Sequence, residues 1–284
     1  MRRLARFRCV GTRRRPQTRC RILAAMSKRA AALQAARELA NSRPAQVLRA
    51  RLPDGLRPGP AGGGVCCPLC GTSARRFLPF GGGDVVRPNA RCARCDSLER
   101  HRLIWLYLRN ETDLFSATER KRMLHVAPEP VLRERLIGEP QIDYLSADLQ
   151  AGLADVQMDI TAIDYPADSF DVIYCSHVLE HVPDDALAMR ELFRVLRPTG
   201  WAILQVPILL ARTDEDPSIT DPEERLRRFA QRDHVRAYGP DYADRLRAAG
   251  FTVRLDRYAE RLGPQSARRH GVLRQEIVHF CTKC

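Results

Sequence analysis

After Lys121 the chain alternates short apolar runs with amphipathic stretches. MLHVA, IDYLSA, VQM, FDVIYCS, WAILQV and FTVRL are short, rich in β-branched and aromatic residues, and read as strands. Between them, apolar spacing near 3.6 predicts helices over 131–137, 184–196 and around 241–249. The helix at 184 is the best signalled: acids fill its first turn, Arg194 and Arg197 its last, and Pro198 with Gly200 stop it. A last strand over 275–280 follows a turn containing Gly and Pro, as in a terminal antiparallel hairpin. Alternating βα units predict an α/β fold, a Rossmann-like, mostly parallel sheet with helices on both faces.

Upstream the pattern changes. LERHRLIWLYL (98–108) reads as one amphipathic helix, whereas 65–95 offers Gly, Pro and cysteines but few aliphatics. Within it, Cys67-x-x-Cys70 and Cys92-x-x-Cys95 have the spacing of two knuckles that close a tetrahedral thiolate site. Gly71 follows the first pair where a tight turn needs backbone freedom. Four protein ligands leave no open position, so a metal here is structural zinc, and its binding free energy of roughly 10–16 kcal/mol becomes folding free energy. Cys66 could replace Cys67, although CPLC is the better-spaced pair; Cys281-x-x-Cys284 has no partner pair and reads as a frayed end. The expected organisation is a basic tail and linker (1–64, with the Pro- and Gly-rich stretch 51–64), a small four-cysteine zinc-binding module (65–97), a connecting helix (98–120) and a main domain (121–284) with a lid insertion near 208–238.

Composition adds two constraints. The formal charge of +13 sits in the tail: residues 1–65 hold 16 Lys or Arg against Glu38 and Asp54, leaving the rest near neutral. A domain that tracked nucleic acid would carry its own basic face. The first 37 residues, with 12 basic residues and no acid, can be read as an over-called start before Met26, a transit peptide or a nucleic-acid arm. Ten cysteines without an apolar signal core, several as CxxC pairs, place the chain in a reducing, cytoplasmic setting, and no apolar run approaches membrane-spanning length.

In a doubly wound sheet the ligand lies over the carboxyl ends of the strands. The first turn is Ala127-Pro128-Glu129, and Asp148, with Leu149 beside it, ends the next strand at the interval expected of a ribose-binding acid. Asp159-Ile160 and Ser176-His177 end two more. The run DITAIDYPADSFDVIYCSHVLEHVP followed by ELFRVLRPTGWAILQVP resembles the S-adenosylmethionine-dependent class I methyltransferases of the type 11 group, over roughly 124–255. The resemblance implies S-adenosyl-L-methionine as cofactor, with Asp148 on the ribose hydroxyls, Asp159 and Ile160 around the adenine, and Ser176 with His177 near the methionine portion or substrate. The first loop departs from the group: His125 stands where an acid is usual, and Ala127 and Glu129 replace glycines. Glu129 then either accepts the cofactor's ammonium or marks a weak site.

His177-Val-Leu-Glu180-His181 also matches an inverted zinc-protease motif, but that motif needs a continuous helix, whereas a strand precedes it here and Pro183 ends it. Methyl transfer mainly requires alignment, and a base only where the acceptor must lose a proton. The expected base is His177 or His181, with His234 and Arg236 on the acceptor. The expected acceptor is a small molecule or glycan. An RNA methyltransferase, because a cysteine-zinc module ahead of this fold also resembles certain ribosomal RNA guanine methyltransferases, and a non-catalytic scaffold are the alternatives.

Overall fold

The computed structural model describes residues 64–82 and 85–283, so the expectations for the basic tail and for Cys284 lie outside the described residues. Two short hairpins come first: β1 (Val65–Cys66) with β2 (Ser73–Ala74), and β3 (Leu78–Gly82) with β4 (Val85–Arg91). Helix α1 (Glu99–Glu111) follows. The main domain then runs β5 (Lys121–Val126), α2 (Pro130–Leu136), β6 (Ile142–Asp148), β7 (Val156–Gln157), β8 (Phe170–Ser176), α3 (Asp185–Val195) and β9 (Leu196–Gln205). It continues through β10 (Asp214–Glu215), α4 (Pro222–Phe229), β11 (Arg236–Ala237), α5 (Tyr242–Ala248), β12 (Thr252–Asp256), α6 (Tyr258–Arg261), α7 (Gly263–His270) and β13 (Val278–Thr282).

Seven strands form one sheet in the order β12-β13-β9-β8-β5-β6-β7. The β5–β6, β6–β7, β5–β8 and β8–β9 pairings are parallel, and β13 is antiparallel to both of its neighbours. The chain steps outward from β5 to β7, then returns to β8 on the other side of β5. That reversal creates the crevice at which an open α/β sheet binds ligands.

Side-chain alternation splits the core into two layers. Ile173 and Cys175 of β8, with Ala202 and Leu204 of β9, pack on Ala188, Met189 and Leu192 of α3 and on Tyr242 and Leu246 of α5. Val172, Tyr174, Trp201 and Ile203 face the other way, toward α1, α2 and α6. Cys67, Leu69, Phe77 and Cys92 join this second layer, so the cysteine-bearing hairpins share a core with the sheet. Arg102 of α1 fastens the junction. Fully buried and stacked on Phe77 at 3.9 Å, it donates to the carbonyls of Ala90, Ser97, His270 and Gly271.

Three boundaries differ from expectation. Helix α3 ends at Val195, so Pro198 and Gly200 lie within β9; a side chain at 200 would meet the Asp171 carbonyl at 2.7 Å, and the site takes glycine for that reason. Strand β13 starts at Val278, and Leu273, Gln275, Glu276 and Ile277 before it line a cleft. Cys281 is buried in that strand rather than frayed. The 208–238 excursion folds on itself: β10 pairs with β11, and Ile219, Phe229 and Ala237 form its small core. Among the described residues no helix is long and apolar enough to cross a membrane.

Candidate functional site

The two knuckles are built alike. Gly71 N–H donates to the Cys67 carbonyl and Cys67 N–H to Thr72; Asp96 N–H donates to the Cys92 carbonyl and Cys92 N–H to Ser97. Gly71 and Asp96 occupy matching left-handed positions, φ +71° and +58°. The turns bring Cys67 Sγ to 3.6 Å from Cys95 Sγ, and Cys70 Sγ to 3.7 Å from Cys92 Sγ. A tetrahedral zinc with Zn–S of about 2.3 Å requires sulfur separations of about 3.8 Å, so the donor set fits the ion. Cys66 stands outside the group.

At the carboxyl rim of the sheet, Ala127 follows β5, Asp148 ends β6 with Leu149 next to it, Asp159 and Ile160 follow β7, and Ser176 ends β8. Ala127 has φ +46°, the left-handed conformation that glycine adopts without strain, so the loop keeps a glycine-type turn without the glycine. Ala127→Gly should therefore change stability by no more than about 1 kcal/mol, while Ala127→Val, β-branched at positive φ, should cost more than about 2 kcal/mol. Denaturant titration of the two variants measures the contrast, and equal stabilities would mean the turn can relax. Asp148 Oδ1 accepts from Gln150 N–H at 2.8 Å, and Asp159 Oδ1 from Thr161 N–H and Oγ1, both at 2.8 Å. Each acid thus shapes its own turn through one oxygen, and neither has a hydrogen bond to its second oxygen among the described residues. Leu149 is 66% exposed beside Asp148, an apolar surface at the rim, and Ile160 is buried.

Glu129 is engaged within the fold. Its side chain turns inward, accepting from His125 Nε2 at 2.9 Å and Tyr174 Oη at 3.3 Å, with His101 Nε2 at 4.0 Å. Burial pushes its carboxyl up, but the hydrogen bond and attraction from His125 outweigh that and hold it below the ordinary value. It supplies His125 with the carboxylate partner that the strand lacks. Burial lowers His101 to about 4, leaving it neutral near pH 7.

A cleft of about 480 Å³ adjoins the rim at Ser176 and His177. Arg87, Arg100, Gln205, Ile208 and Glu276 are among its other walls. They come from β4, α1, the end of β9, the 208–238 excursion and the segment before β13, so hairpins, core and insertion build it together. Burial pushes the Glu276 carboxyl up. Arg87 pairs with buried Glu99 at 3.2 Å, and Gln205 accepts from His279 N–H at 2.7 Å. Sequence reasoning missed these walls, because no local pattern links five distant segments.

Of the four expected catalytic and acceptor residues, only His177 lines the cleft. It directly follows β8 at φ +57°, and its Nδ1 is 3.3 Å from Glu180 Oε1. Residues 179–181 form a turn, not a helix, so the inverted protease motif is absent. His181 pairs instead with Asp233, Nδ1 to Oδ2 3.2 Å. Buried His234 donates from Nδ1 to the Phe229 carbonyl at 2.8 Å, and burial lowers its pKa. Arg236 is spent on structure: it donates to the carbonyls of Leu179, Val182 and Pro183 and to Glu215. Arg236 thus braces the turn behind His177, and His234 packs edge-to-face on His181.

Residues 122–204 match the Methyltransf_11 family, described as a methyltransferase domain. The match spans β5 to β9, so the methyltransferase domain it describes carries the strand ends of the rim. The ubiquinone biosynthesis O-methyltransferase of Paracidovorax citrulli (strain AAC00-1) is 40% identical over 58 residues, 19% of this chain and 24% of that protein's length. Solved structures similar to this chain include an S-adenosylmethionine-dependent methyltransferase from Mesorhizobium loti, with 18% identity over 62% of this chain and 96% of that one, TM-score 0.43. Another is the PH0226 protein of Pyrococcus horikoshii OT3, with 14% identity over 67% of this chain and 94% of that one, TM-score 0.42.

Proposed function

We propose that this chain is an S-adenosylmethionine-dependent methyltransferase acting on a hydroxyl of a small molecule or glycan held in the cleft. The observation that carries the reading is the convergence at one rim of a left-handed turn at Ala127, the half-engaged acids Asp148 and Asp159, and a cleft opening beside Ser176 and His177. Asp148 would hold the ribose hydroxyls, with Leu149, Asp159 and Ile160 around the adenine. Ala127 and Ser176 would border the methionine portion, and Glu129 would support the first loop through His125. When bound, the cofactor supplies a methyl group on a sulfonium, primed for displacement. The chain's task is to align an acceptor oxygen and take its proton.

His177 is the residue placed for that proton. It lines the cleft at the end of β8, where its ring could accept a proton from a bound hydroxyl. A hydroxyl acceptor is supported by the O-methyltransferase named among the relatives. A small one is supported by the cleft volume, which falls in the range of small-molecule sites. Base stacking finds little here: Phe77 is 3% exposed beneath Arg102, leaving Phe80 as the open ring of the hairpins. Zinc on Cys67, Cys70, Cys92 and Cys95 would fix the hairpins that supply Arg87 and, through α1, Arg100.

The test is release of S-adenosylhomocysteine against a panel of hydroxylated small molecules and sugars. Acceptor-dependent release is the expected result. Cofactor binding without release on any of them, together with salt-sensitive methylation of RNA, would move the assignment to nucleic acid.

A further inference from the structure

Behind His177 lies a second cluster of metal-ligand type, remote in character from the four thiolates. Ligand atoms of Glu180, His181 and His234 lie within 4.8 Å of one another. We propose that these three residues bind a divalent transition-metal ion, independently of the four-cysteine site and of the methyl-transfer reading.

Three observations carry this. First, the Glu180 side chain is 1% exposed, and neither carboxylate oxygen has a hydrogen-bond partner; His177 approaches Oε1 at 3.3 Å without hydrogen-bond alignment. A carboxylate in that position must be protonated, paired or coordinated. His234 is also 1% exposed, and its Nε2 is likewise buried and unpartnered. Second, the His234 tautomer is fixed in the form that ligates. The Phe229 carbonyl can only accept, so His234 Nδ1 carries the proton and Nε2 offers its lone pair. Asp233 lies 3.2 Å from His181 Nδ1, on the side of the second ring that carries the proton when Nε2 ligates. A backbone carbonyl and a carboxylate behind two histidines are the outer partners that metal-bound imidazoles use. Third, the two chain segments are held together without any ion. Val235 N–H donates to the Glu180 carbonyl, and Arg236 binds three carbonyls of residues 179–183. The edge-to-face contact of His181 with His234, centroids 4.7 Å apart, lies within that brace.

Two imidazoles and one carboxylate suit Zn²⁺ and its first-row neighbours, and three ligands leave a position open, unlike the closed thiolate site. An ion there would hold the turn that carries His177.

The experiment titrates Zn²⁺ and Co²⁺ into the metal-depleted full-length chain and counts ions by mass spectrometry. Two zinc ions per chain are expected, falling to one in His234→Ala and in Glu180→Gln, and Asp233→Asn should weaken the second ion roughly 10–100-fold. With Co²⁺, the thiolate charge-transfer bands should persist in these variants while the weaker d–d absorption of the second site disappears. His181→Ala, at a partly exposed position, should also lose the second ion with its circular dichroism unchanged, and it decides the matter if His234→Ala fails to fold. One ion per chain in the parent protein, or a second ion that survives both histidine substitutions, would overturn the proposal.

Discussion

Replacing Cys92 with serine is expected to abolish cooperative folding of the whole described unit. A structural zinc contributes roughly 10–16 kcal/mol to folding, and a domain's total stability is only about 5–15 kcal/mol. The loss would not stay local, because Cys67 and Cys92 sit in the same buried layer as Val172, Trp201 and Ile203 of the central sheet. Arg102 would also lose its setting: its donors go to Ala90 and Ser97 beside the knuckles and to His270 and Gly271 after α7. The damage would reach the first loop, since Cys70, Cys95, His101 and Pro130 border one depression between the knuckles and α2. Thermal unfolding followed by circular dichroism, with metal content on the same sample, measures the effect. A folded Cys92→Ser protein melting like the parent would show that the hairpins need no ion.

His177→Ala should lower kcat by about 100- to 10,000-fold, the usual contribution of a positioned general base, and leave cofactor affinity nearly unchanged. The separation follows from position. His177 lines the cleft proposed for the acceptor, whereas the acids expected to grip the cofactor sit on β6 and after β7. A glutamine at 177 keeps a polar contact but cannot take a proton, so it should restore acceptor KM more than kcat. Full turnover in His177→Ala, measured by S-adenosylhomocysteine release, would remove the histidine from the chemistry.

Elements with local causes were legible in the sequence. Strand alternation, the capped helix at Asp184 and the CxxC spacing each reflect a period or a turn, and the structure places them within a few residues of expectation. The rim was legible too, because strand ends in a doubly wound sheet converge whatever lies between them. What failed to show was burial. In DHVRAYG, His234 and Arg236 look like polar loop residues free to meet a ligand, yet tertiary packing buries both and spends the guanidinium on backbone carbonyls. Nor did the sequence show that His125, four residues earlier, draws Glu129 inward. The cleft was invisible for the same reason: Arg87, Arg100 and Glu276 meet only after the sheet has formed.

Capture of S-adenosylmethionine by the rim over β5, β6 and β8 is measured by calorimetric titration of the zinc-loaded chain. One site of micromolar affinity is expected, weakened about 10- to 100-fold in Asp148→Ala as charge-assisted hydrogen bonds to the ribose are lost. A folded, zinc-loaded protein that takes up no S-adenosylmethionine, or binds it equally well without Asp148, would mean that this rim is not the cofactor site.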